Sequence, residues 1–196
     1  MNRISKITRK TKETDISIKL NIDGNGDFEI DTPIGFMKHM LELFSKHGLF
    51  DLEVKASGDM SVDEHHLVED TGIVLGQVFD KSLSDKKRIN RYGFFILPMD
   101  EVISTVAVDL SGRYAFCFKC DFSRDRVGDL PTELIYDFWN AFAQNAKVNL
   151  YIKVENGRND HHKIEAIFKA CAKALRMACE IDEKLKKDIP STKGIL

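Results

Sequence analysis

A five-residue pattern, His-His-x-x-Glu, occurs twice in this chain, and it limits the possible folds more than any other feature. The first copy is His65-His66-Leu67-Val68-Glu69; the second, His161-His162-Lys163-Ile164-Glu165, follows 96 positions on (161 − 65). Each opens a stretch with helical periodicity. On a helix turning about 100° per residue, His at i and Glu at i+4 share a face. Each motif can therefore chelate an ion through imidazole and carboxylate, common ligands for Zn²⁺ and Mn²⁺. The histidine at i+1 points about a quarter-turn away and must serve something else. Two such motifs point to a site with two metals.

The elements around the motifs repeat too. Residues 3–11 and 14–22 alternate polar and apolar, with Ile16, Ile18, Leu20 and Ile22 on one face, and read as strands. Asp23-Gly24-Asn25-Gly26-Asp27 reads as a hairpin turn into a short strand at Phe28-Glu29-Ile30; Phe28 stands where a calcium loop needs Gly. A helix is expected from Thr32 (N-cap) and Pro33 to about Lys46, a strand over 50–56, and the first motif helix over 63–83 with Asp63 as candidate cap. After a charged linker at 84–88, strands are expected at 91–97, 102–110 and 114–119. A helix opened by Asp129 and Pro131 runs through Phe142, a strand spans 148–154, and the second motif helix, capped by Asp160, spans 160–180. The chain thus reads as an α+β fold, a tandem duplication of a β-β-β-α-β-α unit. Residues 1–88 form one repeat and 89–180 the other, with a tail at 181–196, in one integrated domain. The helix-opening prolines are offset by 98 (131 − 33), and that offset pairs His39 with Asp137, two candidate extra ligands.

Composition narrows the function. A chain 43% hydrophobic and 31% charged is that of a globular protein. A net charge of −2 gives no general attraction to nucleic acid or to an anionic membrane. No apolar run approaches the roughly 20 residues a membrane helix needs. Met1–Lys12 lacks the apolar core of a secretory signal, so a cytoplasmic location is expected. Cys117 and Cys120 lie three apart on a strand and point to opposite faces, which argues against a zinc knuckle. Cys171 and Cys179 read as small core residues of the last helix. H-E-x-x-H and Gly-rich phosphate loops are absent. Arg91, Arg113, Lys169 and Lys193 are candidates for holding an anionic group; Lys169 falls on the His161/Glu165 face. The residues alone lead to a di-metal site beside cations, suited to a small phosphorylated substrate.

The motifs together resemble a known family. The stretches are Arg9-Lys-Thr-Lys-Glu-Thr, Gly35-Phe-Met-Lys-His-Met-Leu, Gly58-Asp, Asp63-Glu-His-His-Leu-Val-Glu-Asp, Asn90-Arg-Tyr-Gly, Pro98-Met-Asp-Glu, Asp109-Leu-Ser-Gly-Arg, Asn159-Asp-His-His-Lys-Ile-Glu-Ala-Ile-Phe-Lys-Ala and Ser191-Thr-Lys-Gly. In that order they resemble the imidazoleglycerol-phosphate dehydratases of histidine biosynthesis over nearly the whole chain. The resemblance implies a duplicated ribosomal-protein-S5-domain-2-like fold. It also implies a hydro-lyase that dehydrates imidazole glycerol phosphate to imidazole acetol phosphate. It further implies two Mn²⁺ per site, trimers, and a particle of 24 subunits with sites between chains. The implied metal ligands are His39, His65, His66, Glu69, Asp137, His161, His162 and Glu165. Glu13, His47, Arg91, Arg113, Lys169, Ser191 and Lys193 match substrate-contacting positions, the basic ones and Ser191 holding the phosphate.

The chemistry fits. The proton to be lost has no adjacent carbonyl, so the imidazole ring is the electron relay. Metals on both ring nitrogens would hold it as imidazolate, and a carboxylate base, for which Glu13 is the candidate, would move the carbon-bound proton. The expected catalytic set is Glu13, His65, Glu69, His161 and Glu165. Three departures stand out: Lys38 where the family usually has Asp, Tyr151 for a common His, and Asp137 where members have His or sometimes a carboxylate. Lys38 and Asp137 are the best support for the competing reading, a degenerate metal-binding scaffold. The retained Glu13, Arg91, Arg113, Lys169 and Lys193 oppose it, because a scaffold needs no substrate contacts.

Overall fold

The computed structural model describes residues 3–185 and 189–194. Residues 186–188 and 195–196 of the expected tail lie outside the described residues, as do Met1 and Asn2. The first half of the chain runs β1 (Ile4–Lys10), β2 (Thr14–Asn21), β3 (Phe28–Asp31), α1 (Gly35–Gly48), β4 (Asp51–Gly58) and α2 (His65–Leu83). The second runs β5 (Tyr92–Met99), β6 (Val102–Asp109), β7 (Ala115–Lys119), a small hairpin of β8 (Arg126–Val127) and β9 (Leu130–Pro131), then α3 (Leu134–Ala146), β10 (Asn149–Glu155) and α4 (Asp160–Cys179). The sheets have the same plan, β1-β2-β4-β3 and β5-β6-β10-β7. In each, three strands are antiparallel neighbours and the fourth, β3 or β7, pairs parallel.

Period-two alternation gives each sheet one apolar face. Ile16, Ile18, Leu20, Leu52 and Val54 are buried on the first sheet, and Val102, Val106, Val108, Leu150 and Ile152 on the second. Helices α2 and α4 cover these faces. Between the sheets the helices pack across the halves, α1 on α4 and α2 on α3. One core results: the Trp139 ring of α3 lies 4.9 Å from Phe168 of α4 and 6.2 Å from Phe44 of α1, centroid to centroid. The α2–α3 seam is tight enough to require glycine, since a Cβ on Gly72 would sit 2.5 Å from the Phe138 carbonyl oxygen. The outer faces differ. Tyr92, Phe94 and Ile96 stand exposed on β5, where β1 carries Ile4, Lys6 and Thr8.

Four local expectations give way to longer-range contacts. The Asp23–Asp27 turn is not a β2–β3 hairpin, because β4 lies between those strands. Instead the Asp51 carboxylate gathers that turn, accepting from Asn25 N at 2.7 Å and from Asn21 Nδ2 at 2.9 Å. Thr32 does not cap α1, which starts at Gly35. Its cap is Asp129, from the other half of the chain, accepting from Gly35 N at 2.5 Å and Phe36 N at 2.9 Å. Asp129 and Pro131 therefore do not open α3, which begins at Leu134; Pro131 ends β9. Asn159, not Asp160, caps α4, its side chain accepting from His161 N at 3.0 Å. Asp63 accepts from His65 N at 2.9 Å but is not the cap of α2: Glu64 holds that position, and its side chain makes no cap bond. Asp160 instead accepts from Ser123 N and Arg124 N and pairs with Lys163.

Candidate functional site

The second motif is built as helix geometry requires. His161 and Glu165 are one turn apart on α4, with His161 Nε2 and Glu165 Oε1 3.0 Å apart. The seam between the halves adds His39 of α1, whose Nε2 lies 3.1 Å from the same oxygen. Donors held about 2.1 Å from a shared ion stand roughly 3 Å apart, so this trio has the chemistry and spacing of a chelate. The other carboxylate oxygen accepts from the Lys169 ammonium, four residues on. Glu165 is nearly buried, and burial alone would raise its pKa. The Lys169 ammonium and the two imidazoles outweigh that, holding its carboxyl at about 2. His47, at the end of α1, has its pKa lowered by burial and then by Lys169 and Lys173 of α4, which places it on the same seam.

The i+1 histidine faces elsewhere. His162 Nδ1 lies 2.9 Å from Glu101 Oε2, and its Nε2 is 3.5 Å from Asp100 Oδ2. Asp100 and Glu101 form the turn between β5 and β6. The bond from His162 is the main cause that holds the Glu101 carboxyl down at about 2. In the first motif, His65 Nε2 and Glu69 Oε2 are 3.7 Å apart, and His66 Nδ1 is 3.9 Å from Glu13 Oε2. That His66 nitrogen is buried without a hydrogen-bond partner. Among the described residues, two groups of three ligand-type side chains converge, His39/His161/Glu165 and Asp100/Glu101/His162. His65, His66, Glu69 and Asp137 belong to neither; Asp137 lies in the first turn of α3.

A separate cleft of about 610 Å³ collects Arg91, Arg113, Ser191 and Lys193, together with Tyr92, Ser111, Gly112 and Thr192. Arg91 is already paired with Asp109 (2.7 Å) and donates to the Pro190 carbonyl at 2.8 Å, which ties the tail into the cleft. Arg113 and Lys193 have no carboxylate within ion-pair distance among the described residues, so the cleft has cationic charge available to an anion. Lys169 sits at the imidazole cluster instead. Lys38 is exposed on α1, and Tyr151 lies on the outer face of the second sheet in the wall of an apolar depression with Cys117. Cys171 and Cys179 are buried. Sequence reasoning missed the contact of Glu101 with His162 and gave Asp129 and Asp160 other partners than those they have. Of these, Glu101 carried a signal: it stands directly before β6 as Glu13 stands directly before β2.

The chain is similar to known proteins over nearly its whole length. The family model for imidazoleglycerol-phosphate dehydratase matches residues 32–175. The imidazoleglycerol-phosphate dehydratase of Caldicellulosiruptor bescii is 52% identical over 194 residues, 99% of this chain and 98% of that protein. That of Clostridium botulinum is 53% identical over 195 residues, 100% of this chain and 99% of that protein. Among solved structures, the Staphylococcus aureus enzyme superposes with a TM-score of 0.83 at 39% identity, covering 91% of this chain and 99% of that one. The Pyrococcus furiosus enzyme in complex with (S)-C348 gives 0.83 at 33% identity, covering 97% of this chain and 100% of that one.

Proposed function

The chain belongs to the imidazoleglycerol-phosphate dehydratase family, the metal-dependent hydro-lyases of histidine biosynthesis, and from that premise we propose how its own residues divide the work. The observation that carries the reading is the convergence of His39 and His161 on one oxygen of Glu165. His39, His161 and Glu165 contribute to one metal subsite. His65, His66, Glu69, Asp137 and His162 complete two subsites for Mn²⁺, with donors from neighbouring chains. The metals, when bound, supply a template for the imidazole ring and stabilise the charge it acquires.

Every other task falls to side chains. Arg113 and Lys193, with Arg91 and Ser191, hold the phosphate in their cleft and so fix the distance from phosphate to ring. Lys169 keeps Glu165 ionised and so competent as a ligand. His47 sits where it can contact substrate from the α1–α4 seam. Glu13 moves the carbon-bound proton as general base; its carboxylate lies exposed on the β1–β2 turn beside His66.

In one chain the phosphate cleft at Arg91–Tyr92 and the His162 cluster at Asp100–Glu101 lie at opposite ends of β5, which supports sites shared between subunits. Trimers that assemble into a 24-subunit particle fit this arrangement. The outer face of the second sheet suits a subunit contact: Tyr92, Phe94, Ile96 and Ile103 are exposed there on the paired strands β5 and β6. No helix among the described residues is long and apolar enough to cross a membrane, and a cytoplasmic location belongs to the same reading. So does the division into repeats at 1–88 and 89–180 within one catalytic domain.

The test is metal analysis coupled to a dehydration assay on imidazole glycerol phosphate, before and after chelation and after Mn²⁺ return. Turnover that disappears with the metal and returns with Mn²⁺ is expected. Stoichiometric metal without turnover would favour the scaffold.

A further inference from the structure

The two hairpins that begin the halves each present one carboxylate to the i+1 histidine of the following motif helix. The equivalence is topological. Glu13 stands immediately before Thr14, the first residue of β2, and Glu101 immediately before Val102, the first residue of β6. Both strands then bury the same alternate positions, Thr14, Ile16, Ile18 and Leu20 in one and Val102, Ser104, Val106 and Val108 in the other. Glu13 faces Nδ1 of His66 and Glu101 faces Nδ1 of His162. One ancestral position has therefore kept its address in both halves.

It has not kept its freedom. The β5–β6 turn is tight: Met99 pairs with Val102, which leaves only Asp100 and Glu101 between them, and Asp100 takes a left-handed φ of 49°. The Glu101 carboxylate is tied on both sides. Oε1 accepts from Arg158 N at 3.2 Å and Asn159 N at 3.1 Å, the segment that enters α4, while Oε2 holds His162 Nδ1 at 2.9 Å. The β1–β2 loop is longer. Lys10 pairs with Asp15, Thr11 closes the loop by accepting from Glu13 N and Thr14 N, and the Glu13 carboxylate stops 3.9 Å short of His66 Nδ1.

The geometry points to Glu101 as a positioning residue: by accepting from His162 Nδ1–H it fixes the imidazole in the tautomer that leaves Nε2 as the lone-pair nitrogen for a metal. Its counterpart Glu13 is left untied and available to substrate. The two carboxylates are one element specialised in two directions, one locked to serve a ligand and the other released to serve the reaction. A carboxylate bonded to the far nitrogen of a metal-binding histidine orients the ring and raises its basicity, and losing it typically costs about 10–100-fold in metal affinity. This inference rests on the reading of His162 as a metal ligand.

Glu101→Gln is the discriminating variant. The amide is the same size, and its one carbonyl oxygen can still accept from Arg158 N and Asn159 N. Its NH₂ group then meets His162 Nδ1 as a donor, which demands the opposite tautomer and puts the proton on Nε2. Metal-free full-length protein is titrated with Mn²⁺ by calorimetry, and melting temperature is recorded in parallel. The expected result is an affinity about 10–100-fold weaker for one class of Mn²⁺, with the melting temperature of the metal-free protein close to that of the parent. Mn²⁺ affinity unchanged in Glu101→Gln would overturn the inference, leaving Glu101 as a tie for the α4 entry loop alone. Glu101→Ala removes both ties, so a lower melting temperature together with weaker Mn²⁺ binding is expected; parent-like Mn²⁺ binding in that variant would also overturn it. His162→Asn separates the two levels. If that variant binds the full complement of Mn²⁺, His162 is not a ligand and the underlying reading fails. If it loses one class while Glu101→Gln loses none, only the positioning role fails.

Discussion

His39 and Glu165 lie 126 residues apart in the chain and meet at 3.1 Å across the seam between α1 and α4. The contact joins the two halves at the point where, in the proposed site, the second motif gains a third donor. Removing either group should be felt as lost metal before lost fold. His39→Ala and Glu165→Gln are each expected to lose one class of bound Mn²⁺ by elemental analysis, with activity reduced about 100-fold or more, because ligand chemistry and catalysis share these atoms. Retention of the full metal complement in both would remove this trio from the site.

The charge on Glu165 also sets an acid limit. Its carboxyl is held at about 2 in the folded protein, against an ordinary value of 4.5. A depressed folded pKa contributes stability that is fully present above the unfolded value and is lost as pH falls through the folded one. The metal-free protein should therefore lose this contribution between about pH 4.5 and 2. Denaturant titrations across that window should show a shallower pH slope for Glu165→Gln than for the parent.

Glu13→Gln tests the base. Its carboxylate is exposed and tied to no donor closer than His66 Nδ1 at 3.9 Å, so the substitution should leave metal content and melting temperature unchanged. Turnover should fall about 10²–10⁴-fold, the usual worth of a positioned general base. Near-normal turnover with metals bound would show the assignment to be wrong.

The cationic cleft should govern substrate capture. Arg113→Ala and Lys193→Ala are expected to lower kcat/KM mainly through KM, each by about 1.5–3 kcal/mol, the range for hydrogen bonds to a charged group. Inorganic phosphate should compete against the parent more strongly than against either variant. Unchanged KM values would move the phosphate site elsewhere.

Gly72 offers a stability test remote from the chemistry. An added Cβ would lie 2.5 Å from the Phe138 carbonyl oxygen and 3.2 Å from Ala141 Cβ. Since backbone on α3 cannot yield as a flexible side chain would, Gly72→Ala should destabilise by about 1–3 kcal/mol in denaturant unfolding.

What could be read from the sequence was what is local or repeated. The i, i+4 spacing of His161 and Glu165 survives directly as a 3.0 Å contact, and the strand–helix order emerges from alternation and periodicity. Partners brought from far away were misread. The Asn25-Gly26 turn signal is real, yet it does not say that β4 will insert beside β2. Thr32 is a sound local cap, but Asp129 reaches the same amides from the other half and fixes the helix start at Gly35. Glu101 was hidden for a related reason. The offset of 96 that aligns the motifs does not align the hairpins, because the β1–β2 loop is longer than the β5–β6 turn. Their offset is 88 (101 − 13), so Glu101 falls out of register with the motif repeat; its place directly before a strand was the one local signal, and the strand pairing fixes it as the counterpart of Glu13.

The packing of α1 on α4 and of α2 on α3 bears on how such a molecule could have been assembled. A polypeptide of half this length would carry a motif helix but not the helix that faces it, so it would own only part of a chelate. Two separate halves would have to find one another in solution, and metal affinity would then rise and fall with their concentration. Joining them through residues 84–88 makes that encounter intramolecular, at an effective concentration on the order of millimolar. The meeting of His39 with Glu165 is thereby independent of how much of the protein a cell contains, and only donors from neighbouring chains would still have to be gathered by assembly.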